Sequence, residues 1–305
     1  MDCGQPSFPL PSLSFNKMNK SASYNFLGIQ NPSYEKTKFV ILPIPYEATV
    51  SFGRGTRFGP EGIILSSRYV ELFDEETKTE PYRKGIFTLP EIPIESNSVP
   101  EMFKQIERTI QKHLKKKKFI ISLGGEHSLS IPVIQSHRIF YPDLKVIHFD
   151  AHADMRNVYE GSRFNHACVI RRVTEAGCEV FSFGIRSLSG EEFEYISSSK
   201  MNHVFYDIDT YDKPLENFID NIPDGNYYLT IDLDVFDPSV VPEVGTPEPG
   251  GLRWYSSLKF IRKIIMSKNI VGVDIVELAP KHPYSPSCFF SAKFIYKIIS
   301  YLSQN

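Results

Sequence analysis

Apolar residues in this chain fall in short unbroken runs rather than in alternation with polar ones. Runs at residues 39–42, 86–89, 119–123, 146–149, 180–183, 204–206, 228–231 and 270–276 are rich in Val, Ile, Phe and Tyr. The missing alternation predicts strands buried on both faces, as in a parallel sheet. Amphipathic stretches at residues 60–72, 100–116, 129–140 and 253–265 lie between them, and Pro60 and Pro100 suit a first helical turn. Strand and helix units repeated in this way predict an α/β fold, a three-layer α/β/α sandwich around a mainly parallel sheet of about eight strands. No repeat and no Gly/Ser-rich linker splits the chain. Residues 26–305 therefore read as a single domain, preceded by a loose arm over residues 1–25.

Composition narrows the class. Of 305 residues, 41% are hydrophobic and 23% charged, which excludes a mostly disordered chain and a small disulfide scaffold. A net charge of −2 gives no general attraction to nucleic acid or to an anionic membrane. No apolar run approaches the roughly 20 residues of a membrane-spanning helix. Cys3, Cys168, Cys178 and Cys288 form no Cys-x-x-Cys pair, so they read as thiols in a reducing compartment. The first 20 residues lack the apolar core of a secretory signal, which makes the cytoplasm the expected location. Lys115 to Lys118 read as a solvated helix end rather than a nucleic-acid patch. The Gly-rich segment 53–60 lacks a Gly-Lys-Ser/Thr ending and reads as a tight connection into the helix at Pro60.

Three polar clusters follow apolar strands directly. Asp150-Ala151-His152-Ala153-Asp154 comes first; an extended backbone puts Asp150, His152 and Asp154 on one side. Asp232 and Asp234 share a side in the same way, and Gly124-Gly125-Glu126-His127-Ser128 lets His127 turn back over the sheet edge. In open α/β sheets the carboxyl ends of strands are where ligands bind. One such cluster is weak evidence, because single histidines and paired aspartates usually serve structure. Three together give the ligand set His127, Asp150, His152, Asp154, Asp232 and Asp234. Four carboxylates exceed what one zinc takes, and their charge balances two divalent ions. Oxygen-rich ligation with some imidazole favours Mn2+, with Ni2+ or Co2+ as alternatives. Paired divalent ions lower the pKa of water, which points to hydrolysis.

With these residues in place the chain resembles the ureohydrolases, the arginases and agmatinases, from about Asn25 to the C-terminus. The likeness rests on residues 25–28, 55–60, 124–128, 150–154 and 162–172. Its most specific part is residues 230–249, Thr-Ile-Asp-Leu-Asp-Val-Phe-Asp-Pro-Ser-Val-Val-Pro-Glu-Val-Gly-Thr-Pro-Glu-Pro. Residues 154–161 and 166–172 look most like agmatinases. The resemblance implies an arginase-like fold, one catalytic domain, two manganese ions, a trimer or hexamer, and cleavage of a guanidino group to urea and an amine. It also implies that His166 shuttles a proton and that Glu277 holds the guanidinium. Many relatives have Gly-Thr where Ala167-Cys168 follow His166 here; Cys168 reads as a buried packing thiol with a possible sensitivity to oxidation.

Agmatine, giving putrescine and urea, is the expected substrate on branch likeness. Residues after Asp154 are expected near the substrate tail, where Glu160 would attract an ammonium and Arg156 or Arg163 a carboxylate. Arginine, guanidinobutyrate, aminopropylagmatine and guanidine are the alternatives. A catalytically silent regulatory relative and a single-zinc hydrolase rank lower, since all six ligand positions are filled.

Overall fold

The computed structural model describes residues 24–94 and 98–304; most of the arm expected over residues 1–25 lies outside them. Among the described residues eight strands are present: β1 Phe39–Ile44, β2 Ile86–Thr88, β3 Phe119–Gly124, β4 Lys145–Phe149, β5 Val180–Ile185, β6 Asn202–Tyr206, β7 Asn226–Asp232 and β8 Asn269–Val276. They form one sheet in the order β2-β1-β3-β8-β7-β4-β5-β6, and every neighbouring pair is parallel. The expected parallel sandwich is thus the observed one.

The α-helices are α1 Gly59–Ser67, α2 Val99–Leu114, α3 Ser130–Phe140, α4 Val169–Glu175, α5 Gly190–Ser198, α6 Asp207–Thr210, α7 Trp254–Ser267 and α8 Pro286–Leu302. Each sheet face carries its own core. Alternate residues of β1 show the division: Phe39 and Ile41 pack into the core shared with α1, α7 and α8, and Leu42 and Ile44 into that of α2, α3 and α4. Period-two alternation between two apolar layers is what leaves such strands with no polar face.

Pro60 and Pro100 do sit in first helical turns. Helix α1 stops at Ser67, five residues short of the stretch read from sequence, because the chain leaves the helix through turns closed by Ser66 and Ser67 carbonyls. Lys115, Lys116 and Lys117 are exposed past the end of α2. Lys118 departs from the solvated reading: it is buried, and its Nζ donates to the carbonyls of Tyr34, Glu35 and Thr37. Its charge ties down the segment before β1. Among the described residues no helix is long and apolar enough to cross a membrane.

Candidate metal centre and active site

The four central strands β3, β8, β7 and β4 lie side by side, and their carboxyl ends carry His127, Glu277, Asp232 with Asp234, and Asp150 with His152 and Asp154. The β3 turn depends on Gly125. A Cβ there would come within 2.0 Å of the Tyr46 carbonyl, so only glycine lets the chain bend His127 over the sheet. Asp154 and Glu277 both have left-handed backbones, with φ of 53° and 65°. Non-glycine residues adopt this conformation at a cost and gather at functional sites.

Six side chains expected as ligands come together. The Nδ1 atom of His127 lies 3.1 Å from Asp150 Oδ2, 3.1 Å from Asp154 Oδ2 and 3.4 Å from Asp232 Oδ2. A second group forms beside it, with His152 Nδ1 2.9 Å from Asp234 Oδ2 and 3.4 Å from Asp150 Oδ1. Asp150 therefore offers one oxygen to each group. Backbone amides hold the carboxylates in place: Ala151 N–H donates to Asp234, His152 N–H to Asp150 and Asp234 N–H to Asp232.

The protonation of His127 follows from its other nitrogen. Thr230 Oγ1 donates its single proton to Asp274 at 2.7 Å, so it accepts from His127 Nε2–H at 2.9 Å. The buried Nδ1 makes no hydrogen bond of acceptable geometry, although three carboxylate oxygens surround it. A proton there would serve one oxygen at a time, whereas a divalent cation serves all of them together. The donor set fits such an ion.

Charges within the cluster agree. Burial pushes the Asp154 carboxyl up to about 7, with Asp150 adding to the effect. Burial, then Asp234, raises Asp232 well above the carboxylate range. Burial opposes a charged His152, yet Asp234 and Asp150 overrule it and push its pKa up to about 12. This crowd of carboxylates attracts any available cation.

Glu277 is buried; its Oε1 accepts the His127 amide at 2.6 Å and the residue lines the cavity. His166 opens the turn before α4 and lines the same cavity of about 210 Å³. Burial lowers the His166 pKa. Of the three residues considered for the substrate tail, Arg156 lines the cavity, with its guanidinium 4.9 Å over the Tyr159 ring. Arg163 instead pairs with Glu175, and Glu160 is exposed. Cys168 is fully buried, and burial pushes its thiol up to about 11, which suits packing rather than reactivity.

A sequence model described as the Arginase family matches residues 37–300. The chain belongs to the arginase family. It is 38% identical over 282 residues to an N(1)-aminopropylagmatine ureohydrolase of Synechocystis, covering 90% of this chain and 92% of that protein. It is also 38% identical to an agmatinase of Bacillus cereus, covering 88% and 93%. A putative agmatinase from Clostridium difficile superposes with a TM-score of 0.82 at 32% identity, over 89% of this chain and 99% of that one.

Several site residues of this arginase-family chain escape a reading of its motifs. His148 receives no role from sequence, yet its Nε2 meets Asp150 Oδ2 at 2.9 Å and its Nδ1 meets Ser182 Oγ at 3.0 Å. With both nitrogens engaged it supports Asp150, and its Nε2 also lies close enough to His127, Asp150 and Asp154 to share an ion with them. Glu192 accepts from Met155 N–H and lies 3.8 Å from Arg156 Nε. A polar histidine inside the apolar run before Asp150 is the one signal that marks His148.

Proposed function

We propose that this chain is an agmatinase-type ureohydrolase, cleaving agmatine to putrescine and urea with two Mn2+ ions. The observation that carries the reading is the buried His127 Nδ1 facing Asp150, Asp154 and Asp232, beside the second group of His152, Asp234 and the shared Asp150. These six side chains would hold two divalent cations, which when bound would lower the pKa of water and supply a nucleophile near neutral pH. Glu277 accepts guanidinium N–H groups and fixes the reacting carbon over the cluster. Asp154, in the cluster, takes a proton from the attacking water. His166 gives a proton to the departing amine nitrogen, without which that nitrogen is a poor leaving group.

Agmatine is preferred on likeness to the Bacillus cereus agmatinase. N(1)-aminopropylagmatine is the second reading, favoured by the equally similar Synechocystis relative. Both share the guanidinobutyl-amine portion that this cavity would hold. A cytoplasmic homo-oligomer, trimer or hexamer, belongs to the same proposal and is checked by light scattering. The deciding experiment measures urea release with Mn2+ on agmatine, aminopropylagmatine, arginine, guanidinobutyrate and guanidine. Agmatine is expected to be turned over fastest. Faster release from aminopropylagmatine moves the assignment to that substrate, and equal rates on all five overturn it.

A further inference from the structure

Glu126 has no part in the chemistry above, although it stands beside His127 and is fully buried. Its carboxylate accepts four hydrogen bonds: from the Ala48 and Thr49 amides on Oε2, and from the Thr49 and Ser128 hydroxyls on Oε1. The loop after β1 is thereby fastened to the turn after β3. The Thr49 hydroxyl has one proton and two lone pairs. Its proton goes to Glu126 Oε1 at 2.7 Å. That leaves two acceptor positions, and both face His166: its backbone N–H at 3.0 Å and its Nδ1 at 3.3 Å. All three capacities of the hydroxyl are used, and an oxygen with no proton left can face Nδ1 favourably only if Nδ1 carries one.

Resting on the reading of His166 as the proton donor to the leaving amine, we propose that Thr49 is a positioning residue, anchored by Glu126, that fixes the neutral His166 as the Nδ1–H tautomer. Nε2 is then the atom that gains and delivers protons at the cavity, where Ser51 Oγ lies 3.5 Å away. The other tautomer would set two lone pairs against each other at Thr49 and put an already protonated Nε2 toward the substrate, unable to collect the next proton. Orientation of a catalytic imidazole by a fixed partner on its other nitrogen is a general requirement of acid–base catalysis.

The test needs no bound metal for its first arm. In 15N-histidine spectra of the metal-free full chain above the His166 pKa, assigned with His166→Gln, His166 is expected to show a protonated Nδ1 and a bare Nε2. The reverse pattern overturns the proposal. In the second arm, Thr49→Val removes the hydroxyl at constant shape and Thr49→Ser keeps it. With Mn2+ and the best substrate, Thr49→Val is expected to lower kcat roughly 10- to 100-fold with KM within about twofold, and its His166 spectrum to become a mixture of tautomers. Thr49→Ser is expected to restore both. Valine and serine variants that behave alike overturn the proposal. A wild-type chain that releases no urea from any guanidino substrate defeats the functional reading instead, while the spectrum still decides the tautomer.

Discussion

Asp232 Oδ2 stands 3.4 Å from His127 Nδ1, in a buried pocket that already holds Asp150 and Asp154. Without a cation, burial, Asp234 and Asp150 oppose a charged Asp232 and raise its pKa well above the carboxylate range, against the pull of His127. Asp232→Asn therefore has opposite effects in two conditions. In EDTA the variant is expected to melt a few degrees above wild type, since about 1 kcal/mol corresponds to about 2–4 °C at this size. In saturating Mn2+ the order reverses, because the wild type gains binding energy that the variant cannot collect. Turnover by the variant is expected to fall by more than about 100-fold. Scanning calorimetry in both buffers checks the reversal; a variant less stable in EDTA contradicts the repulsion.

Protons and cations compete for this cluster. His152, pushed up to about 12, holds a proton throughout the working range and must release it to bind an ion. Asp154, pushed up to about 7, holds another below that pH. Both groups favour their protonated forms as pH falls, so metal affinity falls with it. The plot of log K for Mn2+ against pH is expected to steepen by about one proton on going below about pH 7. Calorimetric titrations from pH 6 to 8.5 in two buffers of different ionisation heat count those protons; an unchanging count across pH 7 rules out Asp154 as a group that titrates there.

The sheet was legible because its strands are buried on both faces. Runs such as 119–123 and 270–276 can be little else when turns bound them, and much of the candidate site is legible because Asp150, His152 and Asp154, and Asp232 with Asp234, sit at period-two spacing just past the runs 146–149 and 228–231. What was not legible depends on contacts distant in sequence. His148 resembles strand filling until Ser182, 34 residues on, engages its far nitrogen. Glu126 and Thr49 are 77 residues apart, and nothing local to either announces the pairing. Lys118 looks like the end of a solvated run until the carbonyls of residues 34, 35 and 37 surround it. Past Ser67, the end of α1, Val70 and Leu72 continue the apolar spacing although the backbone has already turned, so the spacing alone predicts a longer helix.

Away from the site, Lys297 Nζ meets Asp74 Oδ2 at 3.0 Å, and both side chains are almost wholly shielded from water. For Asp74, burial alone would raise the pKa, but the Thr77 amide and Lys297 outweigh it and hold the carboxyl below its ordinary 3.8. A depressed carboxyl contributes stability above its unfolded pKa and loses it as pH falls through the folded one. Lys297 is held above its ordinary 10.5, against burial, by Glu75 and Asp74; its contribution is lost only as pH rises through that raised value. The pair is therefore at full strength between about pH 5 and pH 10. Lys297→Met is expected to cost about 3–5 kcal/mol at pH 7, with the difference from wild type shrinking toward pH 3 as Asp74 protonates. Urea unfolding at pH 7 and pH 4 checks this; a pH-independent difference would show that lost packing, not charge, is responsible.

Glu277 separates substrate binding from metal binding. Its Oε1 already takes the His127 amide at 2.6 Å, which leaves Oε2 and the remaining lone pair for a guanidinium. Glu277→Gln keeps the shape and can keep the amide contact through its carbonyl, but then turns an NH2 group toward a cation that has only donors to offer. One charged partner is lost and a donor–donor clash is added. The expected loss in kcat/KM is about 2–5 kcal/mol, roughly 30- to 4,000-fold, with bound Mn2+ unchanged by elemental analysis. Because Glu277 sits at positive φ, the strain at that position is the same in both proteins and cancels from the comparison. Loss of metal together with activity would make Glu277 a support for the cluster instead. Full activity with full metal would mean that the guanidinium is held elsewhere in the cavity.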